Sequence, residues 1–203
     1  NALLTWPIRH LGRMIADMSK AGVAVDRIGY IINSEVEKDR EGAVKPEMNR
    51  DIAFEHVNFA YEGCPQMLHD INFTMKSGTT LGILGGTGSS KSSLVNLISR
   101  LYDVHAGEVL LDGINVKQYD SVSLRQRIGI VPQKAVLFQG TIRQNLKWGK
   151  GDATDAELWE ALDTAQAREV VKGKDGELDA KVEQGGVNFS GGQRQRLTIA
   201  RAL

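Results

Sequence analysis

Residues 85–93 read Gly-Gly-Thr-Gly-Ser-Ser-Lys-Ser-Ser, with the apolar run Thr79 to Leu84 before them and Leu94, Leu97, Ile98 and Leu101 after them at helical spacing. Strand, glycine-rich turn and helix in that order constrain this chain more than any other feature. Such a turn aims successive backbone N–H groups at one point, and the start of the following helix adds partial positive charge, so the two together make a seat for phosphate. Lys91 brings a full positive charge to the β- and γ-phosphates, and the Ser92 hydroxyl suits a magnesium ion. The candidate cradle is Gly85, Gly86, Thr87, Gly88, Ser89, Ser90, Lys91, Ser92 and Ser93. One position departs from the pattern G-x-x-x-x-G-K-[ST]: Ser90 stands where glycine is expected. A Cβ at a backbone position with positive φ costs about 1–3 kcal/mol. Taken alone, a chance match in a Ser/Gly-rich turn competes with the phosphate-loop reading.

A second motif weakens that alternative. Asn188-Phe189-Ser190-Gly191-Gly192-Gln193 leads into Arg194, Arg196, Leu197, Ile199, Ala200 and Arg201, another helix opened by glycines with basic residues along it. Ser190 and Gln193 have capping-box spacing. An ordinary capped surface helix would read the same way, but a double glycine in the first turn leaves backbone N–H groups bare for an anion. Between the two motifs, Ile128-Gly-Ile-Val-Pro-Gln133 reads as a short apolar strand ending in a glutamine.

In this order the motifs resemble the nucleotide-binding domain of an ABC transporter, whose signature Leu-Ser-Gly-Gly-Gln is present with Phe189 for leucine. The resemblance implies ATP and Mg²⁺ as cofactors and an α/β fold: a P-loop NTPase (RecA-like) core with an antiparallel β subdomain and an inserted helical subdomain, preceded by an amphipathic helix. It assigns Lys91 and Gln133 to turnover, Ser92 and Gln133 to the metal, and Tyr61, at the end of the first strand, to stacking on adenine. It places Ser190, Gly191, Gly192 and Gln193 against nucleotide held by a second subunit. The implied partner is a second ABC half-transporter, as homodimer or heterodimer. The tract Gln133 to Asn145, with Leu137-Phe138-Gln139-Gly140-Thr141-Ile142, is similar to the region through which exporters contact the coupling helices of their membrane domain, although Phe138 reads equally well as a core residue. Gln184 stands where exporters commonly carry glutamate.

Upstream, Ile52 to Tyr61 alternates apolar and polar residues with one change of phase, and Leu68 to Met75 alternates again, which predicts antiparallel strands. After Lys91 the pattern predicts a helix, a strand at Glu108 to Leu111, a short helix near Ser123 to Arg127 and the strand closing at Gln133, an alternation that argues for a largely parallel core. Thr154 and Glu157 form another capping box, opening a helix with Leu158, Ala161, Leu162 and Ala165 on one face. Ile8, Leu11, Ile15, Met18, Val25, Ile28 and Ile32 recur at helical spacing with charges between them, so this front helix is amphipathic and not a span. It resembles the cytoplasmic end of the last transmembrane helix of an exporter. The expected divisions are residues 1–33 for that extension, the charged stretch 34–50 as linker, and 51–203 as a nucleotide-binding domain truncated after the signature helix. Asn1 and Leu203 both look like cuts. In the resembling family the acidic strand, catalytic glutamate and switch histidine follow the signature, so the expectation is a part that binds ATP without efficient turnover, facing the cytoplasm at a cell membrane.

Of the 203 residues 41% are hydrophobic, enough for one globular domain plus an appendage. Lys and Arg number 25, as do Asp and Glu, which gives no basic surface for nucleic acid. Cys64 is the single cysteine, and the four histidines lack metal-ligand spacing, which favours structural roles for them. Three functional classes remain: an ATP-driven exporter subunit, a degenerate regulatory half marked by Ser90, and a soluble ABC ATPase acting on DNA or ribosomes. The front helix disfavours the last.

Overall fold

The change of phase in the first strand is a β-bulge. In the computed structural model, which describes residues 2–39, 42–45 and 51–203, β1 (Ile52–Phe59) buries Phe54, exposes both Glu55 and His56, and returns inward at Val57. His56 takes a φ of 50° to absorb the extra residue. The neighbouring strand accommodates it with Gly107, whose φ is 78° and where a Cβ would lie 2.2 Å from the His56 carbonyl oxygen. Only glycine fits that approach. The sheet order is β2-β1-β3-β4, antiparallel throughout, with β2 Leu68–Met75, β3 Ala106–Leu111 and β4 Ile114–Asn115. Phe54 pairs with Phe73 on one side and Val109 on the other.

One face of this sheet carries a core. Phe54, Val57, Phe59, Leu68 and Val109 pack with Leu94 and Leu97 of α2 (Lys91–Ile98) and with Leu124 of α3 (Ser121–Arg125). Leu94 and Leu97 share a helix face at i, i+3 spacing, and their burial fixes α2, and the loop ahead of it, on the sheet. Part of the expected linker joins this layer: Val44 bridges Tyr119, donating to Gln118 and accepting from Asp120. Positions 40–41 and 46–50 of that linker lie outside the described residues. The histidines make local contacts, His56 with Asp70 at 2.7 Å and His105 accepting from the Ala60 amide.

A second core lies among α4 (Ile142–Lys147), α5 (Asp155–Thr164), α6 (Arg168–Lys172) and α7 (Gly191–Ala202), with a two-stranded ribbon of β5 (Gly140–Thr141) and β6 (Lys181–Val182). Leu146, Leu158, Leu162, Val171, Phe189 and Leu197 are buried in it. Capping boxes close the starts of α4, α5 and α7. Arg143 pairs with Asp179 and Asp155, tying α4 to α5 and to the turn before β6.

The parallel strands expected at Thr79–Leu84 and Ile128–Gln133 do not form among the described residues. Both runs are free of ladder hydrogen bonds and largely exposed, Leu84 at 97%. A parallel strand is stable only with neighbours for its N–H and C=O groups and cover on both faces, and among the described residues no strand pairs with either run. Ile128 to Val131 instead line a cavity of about 1360 Å³, together with Val95, Ile98 and the end of α7. The described architecture is therefore a mixed α/β one whose sheets are antiparallel.

Residues 1–39 form a separate unit. There α1 (Ala2–Ile32) carries Pro7 near its start and exposes Leu11, Ile15, Met18, Val25 and Ile28. Among the described residues no helix is long and apolar enough to cross a membrane.

The α5 cap is sensitive to acid. Lys150 donates to Glu157, and Thr154 adds backbone and hydroxyl hydrogen bonds, holding the carboxyl at about 2 against an ordinary 4.5. A depressed native pKa contributes stability above the unfolded value and loses it as pH falls through the native one. Between pH 5 and pH 2 the denaturation midpoint of the native chain should therefore fall more steeply than that of Glu157→Gln; equal slopes would remove Glu157 from the acid response.

Candidate nucleotide site

Lys91 closes the glycine-rich loop around itself. Its Nζ donates to the Gly85 carbonyl at 2.8 Å, the Gly86 carbonyl at 2.7 Å and Ser89 Oγ at 3.0 Å, which uses all three ammonium donors. Ser89 Oγ in turn donates to the Gly86 carbonyl at 2.9 Å. Each of these acceptors is neutral, so an anionic phosphate competes well for the same ammonium. Thr87, Gly88 and Ser92 are exposed, and a Cβ at Gly86 or Gly88 would meet no atom within 4 Å. The backbone of the loop thus faces open space ahead of α2.

Ser90 has φ 58° and ψ 20°, left-handed backbone, and its side chain makes no cap hydrogen bond. The loop keeps the conformation glycine would favour and bears the strain of a Cβ. Ser93, one residue beyond the exposed Ser92, turns inward: it is 5% exposed and its Oγ lies 2.9 Å from the Tyr61 hydroxyl. Base-stacking candidate and loop helix are thereby joined directly. Tyr61 also meets Phe59 and Tyr102 edge to face. Tyr102, absent from the sequence-derived candidates, gave no signal because it sits in an irregular turn.

At the second motif, Ser190 caps α7. Its Oγ accepts from the Gln193 amide at 3.3 Å while Gln193 Oε1 accepts from the Ser190 amide at 3.0 Å. The box occupies the Ncap and N3 donors and leaves the N1 and N2 amides, those of Gly191 and Gly192, for another acceptor. Both glycines are exposed with open space at their Cβ positions. Behind them the turn is pinned by Arg194, which donates to the carbonyls of Gly186 and Phe189, and by Lys174, which donates to the Asn188 carbonyl and lies 4.7 Å from the Phe189 ring centre. Lys174 lies on a different segment, so local spacing could not reveal it.

The two helix starts stand on different cores, α2 on the sheet and α7 among the helices. Gln133 is exposed, and no hydrogen bond joins it to the loop among the described residues. Phe138 is not a core residue: it is 47% exposed and stacks on Trp148 at 4.8 Å. No cluster of His, Cys, Asp or Glu suited to a metal occurs among the described residues. A Mg²⁺ ion at the loop would have Ser92, with Gln133 if that segment closed, and otherwise phosphate and water oxygens. That donor set is all oxygen and fits the ion.

A family model for ABC transporters matches residues 68–203. The chain belongs to the ABC transporter family. It is 54% identical over 152 residues to an uncharacterized ABC transporter ATP-binding protein of Mycobacterium tuberculosis, covering 72% of this chain and 26% of that protein. It is 38% identical over 200 residues to an ATP-dependent lipid A-core flippase of Sodalis glossinidius, covering 97% and 34%. A multidrug resistance ABC transporter ATP-binding and permease protein of Lactococcus lactis is 36% identical over 188 residues, covering 92% and 32%. The chain thus spans between a quarter and about a third of the length of these relatives. Among solved structures, a bacterial Atm1-family ABC exporter with ATP bound superposes with a TM-score of 0.81 at 30% identity, over 99% of this chain and 36% of that one. Of these, the Lactococcus protein is named as an ATP-binding and permease protein and the solved structure as an exporter.

Replacing Ser90 by glycine removes left-handed strain of about 1–2 kcal/mol and adds chain entropy of about 0.5–1 kcal/mol to the unfolded state. Ser90→Gly should therefore stabilise the chain by about 0.5–1 kcal/mol in denaturant titration; a loss of stability would contradict the strain at this position.

Proposed function

We propose that this chain is the ATP-binding part of an ABC exporter and that two copies, or one copy and a related half-transporter, enclose ATP between them. The observation that carries this reading is the pairing of two anion-ready helix starts on separate cores: a glycine loop centred on the Lys91 ammonium, and the Gly191 and Gly192 amides left open by the Ser190 box. In the proposed site Lys91 leaves the carbonyls of Gly85 and Gly86 for the β- and γ-phosphates, Ser92 and Gln133 hold Mg²⁺, and Tyr61 stacks on the base. Ser190, Gly191, Gly192 and Gln193 of the other copy would complete the triphosphate's shell. Mg²⁺ supplies charge neutralisation at the transferred phosphate when bound. Hydrolysis in the whole protein would separate the copies and so drive export across a membrane, with this part on the cytoplasmic side. The RecA-like parallel core belongs to the same proposal: the runs 79–84 and 128–133 would pair once a strand lies between them.

A degenerate, mainly ATP-binding half of a heterodimer is a second reading, favoured by the left-handed Ser90. The two separate on affinity. In the whole protein, Lys91→Ala should weaken Mg-ATP binding at least tenfold by titration calorimetry, the loss expected for removing a charge-assisted contact. Ser90→Gly should tighten it about tenfold if the loop is impaired, and leave it unchanged if the serine is accommodated. Full binding by Lys91→Ala would refute the site itself.

A further inference from the structure

The hydroxyl of Ser93 is turned away from the face of α2 that meets the open loop. Ser92 is exposed, Ser93 is 5% exposed, and the helical step of about 100° between them sends the second side chain toward the sheet. There it meets the Tyr61 hydroxyl at 2.9 Å. Tyr61 lies beyond the end of β1, in a turn closed by the Cys64 amide donating to its carbonyl, so no strand ladder fixes its ring. Side-chain contacts hold it instead. Phe59, at the end of β1, lies 5.0 Å away at 82°; Tyr102, in the turn after α2, lies 4.9 Å away at 81°; Ser93, in the first turn of α2, holds the phenol.

Phe59 and Tyr102 are 5.8 Å from each other, too close to stand directly opposite one another across Tyr61, so they do not sandwich it. The phenol oxygen is held by Ser93, and in the proposed site the ring itself meets the base.

We propose that Ser93 is a positioning residue for the nucleotide base: its hydrogen bond fastens Tyr61 to the first turn of α2, so that the base platform and the phosphate loop are held at a fixed spacing. This rests on the ATP site proposed above. It reassigns the Ser93 hydroxyl from the phosphates to the aromatic ring. Ring, hydroxyl and Lys91 then belong to one rigid element seated on the sheet by Leu94 and Leu97. The preorganisation acts on ligands that have a base and is invisible to those that lack one.

The test compares Mg-ATP with inorganic tripolyphosphate, measured by calorimetry on the whole protein. Ser93→Ala and Tyr61→Phe should each weaken ATP binding about threefold to tenfold, the range for one neutral hydrogen bond. The double variant should be no weaker than either single one, because both remove the same bond. Tripolyphosphate affinity should stay within twofold in all three, and Ser93→Thr, which keeps the hydroxyl, should restore ATP affinity. Equal losses for ATP and tripolyphosphate in Ser93→Ala would mean that the hydroxyl serves the phosphates, and would overturn the proposal. So would additive losses, or no loss at all, while Lys91→Ala still abolishes binding. If the unmodified protein binds neither ligand, the underlying ATP site fails instead.

Discussion

Leu94 and Leu97 of α2, pressed against Phe54, Val57 and Val109 of the antiparallel sheet, are the contact on which the phosphate loop depends. A glycine-rich loop has little stiffness of its own, so its position is that of the helix that follows it. Burying two leucines is worth several kcal/mol, enough to hold α2 in place while the loop before it bears the strain of Ser90. The same sheet carries β1 to its end at Phe59, from which Tyr61 reaches back to Ser93. The base-stacking candidate and the phosphate cradle therefore share one foundation.

The signature helix depends on different physics. α7 starts in a turn with two glycines, a weak place to begin a helix, and is held by the reciprocal Ser190 and Gln193 bonds, by Arg194 on two carbonyls, and by Lys174 over Phe189. Phe189, where the family signature has leucine, offers a ring face to the Lys174 ammonium, and such cation–π contacts are worth about 0.5–2 kcal/mol. The outcome is a rigid platform that leaves two amides unclaimed. Gly191 and Gly192 stay exposed at this helix start, and it is their amides that the proposed second copy would use.

What could be read from the sequence was whatever is decided within a few residues. The loop, the Thr154 and Ser190 boxes, and the inward face of α5 at Leu158, Leu162 and Ala165 follow from local spacing. Even the bulge at His56 announced itself as a break in alternation. The strands at 79–84 and 128–133 did not form, because a strand is defined by neighbours and apolar composition cannot state whether a neighbour is present. Nor could spacing show Lys91 folded onto its own loop, Ser93 turned to Tyr61, or Val44 docked at Tyr119, since each is a contact between segments distant in sequence or a choice of rotamer. Sequence pattern supplied the residue types of the candidate site, and packing decided which way their side chains point.

The most direct measurement of a shared site is complementation between two defective copies of the whole protein, Lys91→Ala and Gly192→Asp, each alone and then co-expressed, with ATP-dependent association as the readout. If each site joins one copy's loop to the other copy's α7, either variant alone fails, while the mixed pair retains one intact loop facing one intact Gly191-Gly192 turn and regains association. If loop and signature of a single chain serve the same ATP, the mixture behaves no better than its components, and the enclosure of nucleotide between two copies is wrong.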